Sequence, residues 1–118
     1  MLIKIENNAD IKNFHQQTCD CADGYMLGFK HQTDPDIIED ELNIYFQGEK
    51  TVELVFKKLK YFHYELKENE DRYIYNMSLF FYNKKIYFST FDGLNPNNLL
   101  GSGGVIVVAR EVYWRFLD

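Results

Sequence analysis

The stretch LNIYFQGEKTVELVF, residues 42–56, constrains the fold more than any other part of the chain. Leu42, Ile44 and Phe46 alternate with Asn43, Tyr45 and Gln47, and Val52, Leu54 and Phe56 continue the same pattern beyond Gly48-Glu49. A period of two is that of a strand with one buried face, and a glycine between two such runs marks the turn of a hairpin. These residues also approach the E-x-x-Y-x-Q-G pattern cut by a widely used viral processing protease. Glu41, however, stands four residues before Tyr45 instead of three, and no linker-like stretch flanks it. The segment therefore reads as a native strand, not a fusion scar.

The alternation recurs along the chain. Tyr25, Leu27, Phe29 and His31 alternate with Met26, Gly28 and Lys30. Tyr73, Tyr75, Met77, Leu79 and Phe81 form a further expected strand, and KIYFSTF (85–91) returns as its partner through an Asn83-Lys84 turn. That turn is weaker than Asn-Gly, because Lys resists positive φ. VIVVAREVYWRFL (105–117) is a β-branched run that suits a central or well-covered strand, its second half continuing the strand or turning into a terminal helix. An aromatic content of 17% fits pleated sheet. One segment breaks phase: Val52, Leu54 and Phe56 share one face, whereas Leu59 and Tyr61 share the other. One extra residue near Lys57-Lys58, as in a β-bulge, or a bend between two sheets, restores a single apolar face.

The N-terminus carries the helical signal. Asn8 can cap a short helix, Asp10 sits in its first turn, and Ile11, Phe14 and Thr18 share a face. Elsewhere the connections are of hairpin length, with an acidic loop at QTDPDIIEDE (32–41), a polar turn at KENED (67–71) and a turn-rich loop at DGLNPNNLLGSGG (92–104). No regular βαβ alternation and no internal repeat appear. The expected class is α+β: a mostly antiparallel, curved sheet of five to seven strands with a short N-terminal helix, in one domain spanning 1–118.

A net charge of −5 argues against general nucleic-acid binding, which needs a basic surface. The basic cluster FKKLKYFH (56–63) reads as the solvated face of a long strand. No apolar run approaches the ~20 residues of a membrane-spanning helix, and the N-terminus lacks a signal-peptide core, so a cytoplasmic protein is expected. In an extended strand Cys19 and Cys21 would stand about 6.6 Å apart along the chain. That exceeds disulfide geometry, and two free thiols suit a reducing compartment.

Two groups of residues are candidate sites. Five carboxylates within eight residues, Asp34, Asp36, Glu39, Asp40 and Glu41, offer an electrostatic surface for a basic protein, with outward-facing Tyr45 as its anchor. His15, Cys19 and Cys21 form the alternative, a weak set of soft donors for zinc or another small ligand, to which His31 could return. Their spacing is not that of paired C-x2-C motifs, and the carboxylates of Asp20 and Asp23 disfavour a reactive thiolate. The glycines of 92–104 are not followed by Lys-Ser/Thr, so they form no P-loop. No catalytic set stands out, so neither an enzyme nor a cofactor is expected.

The succession NFHQQTCDCADGYMLGF, LNIYF, VELVFKKLKYF, LFFYNKKIYFSTF and VIVVAREVYW resembles small uncharacterised bacterial cytoplasmic proteins with an F-H-D type start and an L-x-F central strand. Some of their relatives are immunity proteins of polymorphic toxin systems. Gln16 here replaces the Asp of the start motif. The resemblance implies a non-enzymatic protein-interaction module, an immunity-type inhibitor of a partner protein, and it assigns no catalytic residue. A homodimer would be a further way of covering exposed aromatic faces.

Overall fold

Among the described residues of the computed structural model, eight strands and one helix follow one another: β1 (Ile3–Lys4), α1 (Asn8–Thr18), β2 (Gly24–Asp34), β3 (Glu39–Gln47), β4 (Thr51–Glu65), β5 (Tyr73–Ile74), β6 (Ser78–Tyr82), β7 (Lys85–Ser89) and β8 (Gly104–Phe116). The structure describes residues 1–18, 24–34, 39–65, 73–74, 77–91, 94–99 and 104–117. All described strand pairs are antiparallel and belong to one sheet of order β5-β2-β3-β4-β8-β7-β6, with β1 paired to β8 beside this path. The class is mostly β and not the expected α+β, because the described helical part is one segment of 11 residues.

The covalent chain requires the sheet to curl. β5 and β6 are the two ends of the strand path, yet only residues 75–77 separate them in sequence. Four residue steps reach at most about 14 Å. Seven flat strands would hold their edges about 29 Å apart. The aromatic contacts report the same curvature. Phe46 of β3 and Phe88 of β7 are separated by β4 and β8, but their ring centroids lie 5.9 Å apart across the concave face. The single strand expected over 73–81 is thus two strands at opposite edges. β5 pairs with β2 and β6 with β7, while Tyr75 lies outside the described residues.

The concave face holds the main core. Leu42, Ile44 and Phe46 meet Val52, Leu54 and Phe56, as their alternation requires, together with Ile86, Phe88, Val105, Val107, Ala109, Val112 and Trp114. Helix α1 packs Ile11 and Phe14 into this core, and Phe14 meets Trp114 edge-on at 5.4 Å. The helix is capped by Asn7, one residue before the expected Asn8. Asp10 N–H donates to Asn7 Oδ1 (2.9 Å), and Glu6 N–H donates to Asp10 Oδ2 (2.9 Å). A smaller cluster on the convex face joins Tyr87, Leu94, Ile106 and Val108, with Tyr61, Phe80, Phe91 and Leu99 against it.

The phase break in β4 is resolved twice. Phe56 faces Val112 and Leu59 faces Ala109, so each strand inserts two residues between successive inward positions: Lys57-Lys58 on β4 and Arg110-Glu111 on β8. Lys58 takes φ 58° there. This is the shift expected at Lys57-Lys58, and it brings Leu59 to the core. A second irregularity between Leu59 and Tyr61, where Lys60 is the extra residue, reverses the phase again. Phe62 therefore packs on the main core, and Tyr61 points to the convex cluster instead of the core expected for it.

Candidate partner-binding surface

The acidic run is mostly strand, not loop. β2 extends to Asp34 and β3 begins at Glu39, and these two residues pair as the last rung of the hairpin. Asp36 lies outside the described residues, as do Asp20, Cys19, Cys21 and Asp23. Because successive side chains of a strand point to opposite faces, the run divides. Asp40 shares the concave face with Leu42, and its Oδ2 lies 3.0 Å from His31 Nε2. Glu41 takes the convex face, 3.9 Å from Lys57 Nζ. Exposed pairs of this kind add little stability, so both carboxylates remain open to a competing cation.

Tyr45 faces the convex side, as its alternation with Ile44 and Phe46 requires. It shares that face with Glu41 and lies opposite Asp40. It is half-buried and engaged within the molecule. Its hydroxyl hydrogen-bonds to Glu53, a carboxylate only 4% exposed. Asn43 Nδ2 also donates to Glu53 (3.2 Å), and so does Arg115 Nε (2.7 Å). Burial pushes the Glu53 pKa up, but the three donors and the Arg115 charge outweigh it, and the carboxyl titrates below the ordinary glutamate range. Burial, together with the Glu53 carboxylate, raises the Tyr45 phenol above its usual value. Next to this group, Glu111 accepts from Lys58 Nζ (2.7 Å) and from the Tyr113 hydroxyl (2.8 Å), and Lys57 lies over the Tyr113 ring at 4.9 Å. This part of the convex face, from Asn43 and Tyr45 of β3 across Glu53 and Lys58 of β4 to Glu111, Tyr113 and Arg115 of β8, is thus a knitted polar layer, and Tyr45 is a member of it.

A different group is exposed on the concave side. Through Ile44, Phe29 stands level with Leu54 of β4, eight residues before Phe62. A regular strand would separate Phe29 and Phe62 by about 26 Å. The two irregularities in β4 instead bend the distal ribbon of β4 and β8 back over the hairpin of β2 and β3. Phe29 then meets Phe62 at 5.1 Å and Tyr64 at 4.8 Å between centroids, and His31 meets Phe62 at 6.2 Å. Phe29 is 41% exposed and Tyr64 37%. Tyr25 and Leu27 of the same strand are exposed as well, and the register shift between Met26 and Gly28 makes Leu27 the extra residue of a bulge. Sequence reasoning missed this platform. Its one signal was the apolar residue at almost every position from Tyr25 to Phe29, which a strand with one buried face does not require.

His15 belongs to α1, where its ring packs beside Phe14 at 5.6 Å. Among the described residues, no three His, Cys, Asp or Glu side chains come together in a group that could hold a metal ion. No described helix is long and apolar enough to cross a membrane. Comparison with family models, with curated proteins and with solved structures finds no match to this chain.

Proposed function

We propose that the chain is a non-enzymatic protein-interaction module, an immunity-type inhibitor of a basic protein partner, acting in the cytoplasm. The observation that carries this reading is the aromatic platform in which exposed Phe29 and Tyr64 meet half-buried Phe62 beside the acid-bearing hairpin of β2 and β3. Exposed apolar area of this kind, rimmed by charge, is a common mark of protein recognition, and clustered aromatic rings supply most of the binding energy where they are covered. The carboxylates at the hairpin end raise the rate of encounter with a basic surface. Tyr45 is not the anchor in this reading, since the polar layer already engages it; the anchor is the platform.

Co-expression with the products of the genes flanking its own provides the test. The reading expects one of them to be toxic alone, to be neutralised by this chain, and to co-purify with it. Replacing Phe29 and Tyr64 together by alanine should release the partner while the chain stays folded by circular dichroism. If no flanking product is neutralised or bound, the inhibitor reading is wrong.

A further inference from the structure

The platform has a geometry that selects among basic partners. Phe29, Phe62 and Tyr64 stand with centroids 4.8–6.5 Å apart and planes tilted 53–74° from one another. Rings this close are in contact with each other and leave no slot for a cation between them. They form a stepped surface, not a cage around an ammonium group. The rim is specific as well. His31 reaches the platform through Phe62, and its Nε2 holds Asp40 Oδ2 at 3.0 Å, which sets a half-exposed carboxylate at the edge of the aromatic surface.

We infer that this surface takes an arginine side chain of a basic partner protein, its guanidinium stacked on the exposed aromatic faces and its N–H groups directed to Asp40. The inference rests on the proposed interaction function and names the partner chemistry of the same surface. A planar, weakly hydrated guanidinium stacks on rings and pairs with a carboxylate through two N–H groups, whereas a lysine ammonium is a strongly hydrated point charge that gains less from an open aromatic face. Charge complementarity favours a basic partner in general, since the chain carries a net charge of −5, and the aromatic faces supply the choice of arginine. Around Glu53 and Glu111 on the convex face, Lys57 covers the Tyr113 ring and Lys58 pairs with Glu111, so those rings and carboxylates are engaged within the chain.

Fluorescence anisotropy with labelled oligoarginine and oligolysine peptides of equal length tests the inference at physiological salt. The arginine peptide should bind roughly fivefold more tightly, the ratio that about 1 kcal/mol of stacking and bidentate pairing produces. Joint replacement Phe29→Leu and Tyr64→Leu keeps apolar bulk and removes two aromatic faces, so the preference should vanish while residual charge-driven binding of both peptides remains. Asp40→Asn, at a half-exposed side chain, should also reduce the preference and serves if the leucine variant does not fold. Glu41→Gln, on the opposite face, should weaken both peptides equally and leave their ratio intact. Equal binding of the two peptides by the native chain, or a preference that survives both the leucine pair and Asp40→Asn, overturns the inference. A neutralised partner whose contacts map to the platform without an arginine preference would overturn this inference alone and leave the interaction function standing.

Discussion

Replacing Phe88 by alanine probes the curl of the sheet directly. The ring is fully buried, 5.9 Å from Phe46 and 5.5 Å from Phe56. Three strand spacings separate β3 from β7 along the sheet path, about 14 Å if the sheet were flat. The ring pair exists only because the sheet bends. Deleting a buried phenylalanine costs about 3–5 kcal/mol, a large share of the roughly 5–15 kcal/mol that hold a small domain together. A milder cycle isolates the contact itself. Phe46→Leu, Phe88→Leu and the double variant should show a coupling of about 0.5–1.5 kcal/mol, the excess expected of an aromatic pair. Urea titrations supply the free energies, read by the fluorescence of Trp114, the one tryptophan of the chain, and by circular dichroism. Coincident transitions and a constant slope license the comparison. If Phe88→Ala costs under about 1 kcal/mol, or the coupling falls below about 0.3 kcal/mol, the two rings do not meet and the sheet is open.

Three further outcomes follow from the same structure. The folded chain should resist the processing protease at Gln47-Gly48, because Leu42, Ile44 and Phe46 are fully buried and Gln47 pairs with Thr51; rapid native cleavage, read on a gel, would mean an exposed segment. Lys84→Gly should raise stability by about 0.5–1 kcal/mol in urea titration, since Asn83 and Lys84 both take positive φ (51° and 64°) in the two-residue turn and glycine removes the strain at one of them. Glu53 has a depressed pKa in the folded chain, so its stabilisation is fully present above the unfolded glutamate value and is lost as pH falls through the folded one. Glu53→Gln should therefore flatten the loss of melting temperature below about pH 4.3 while lowering stability at neutral pH.

The fold was legible where alternation had nothing to compete with it. Leu42, Ile44 and Phe46 read as one buried face and are one, and the Asn83-Lys84 turn was visible despite a lysine where glycine is preferred. The reading failed where one continuous pattern served two neighbours. Tyr73 to Phe81 alternates without a break, yet the chain leaves one edge of the sheet after Ile74 and joins the other at Ser78. Periodicity reports the local conformation of a strand, not the strand it pairs with. The helix signal was sound in its apolar face, and its cap was misplaced by one residue because Asn7 and Asn8 are equally good capping types.

The candidate site divides in the same way. The acid-rich segment was plain from composition, and the period of two already implied that Asp40 and Glu41 would take opposite faces once the segment proved to be strand. That one step removes the single acidic patch and separates Asp40 from Tyr45. The run from Tyr25 to Phe29 hinted at a second apolar surface, but its partner could not be read, since Phe29 and Phe62 are more than thirty residues apart and meet only through the bend in β4. The bend depends on Lys58 at positive φ, a conformation that costs a non-glycine residue energy and that no residue type here announces. Packing supplies the reason for it. A straight β4 of 15 residues would send Leu59 and Phe62 to opposite faces, whereas the two irregularities seat both on the main core and put Tyr61 in the convex cluster. The ion pair from Lys58 to Glu111 then closes across the extra residues of both strands. The strain at Lys58 and the exposure of Phe29 and Tyr64 thus have one origin: burying Leu59 and Phe62 on the same core turns the end of the ribbon over β2 and leaves an aromatic surface uncovered beside Asp40.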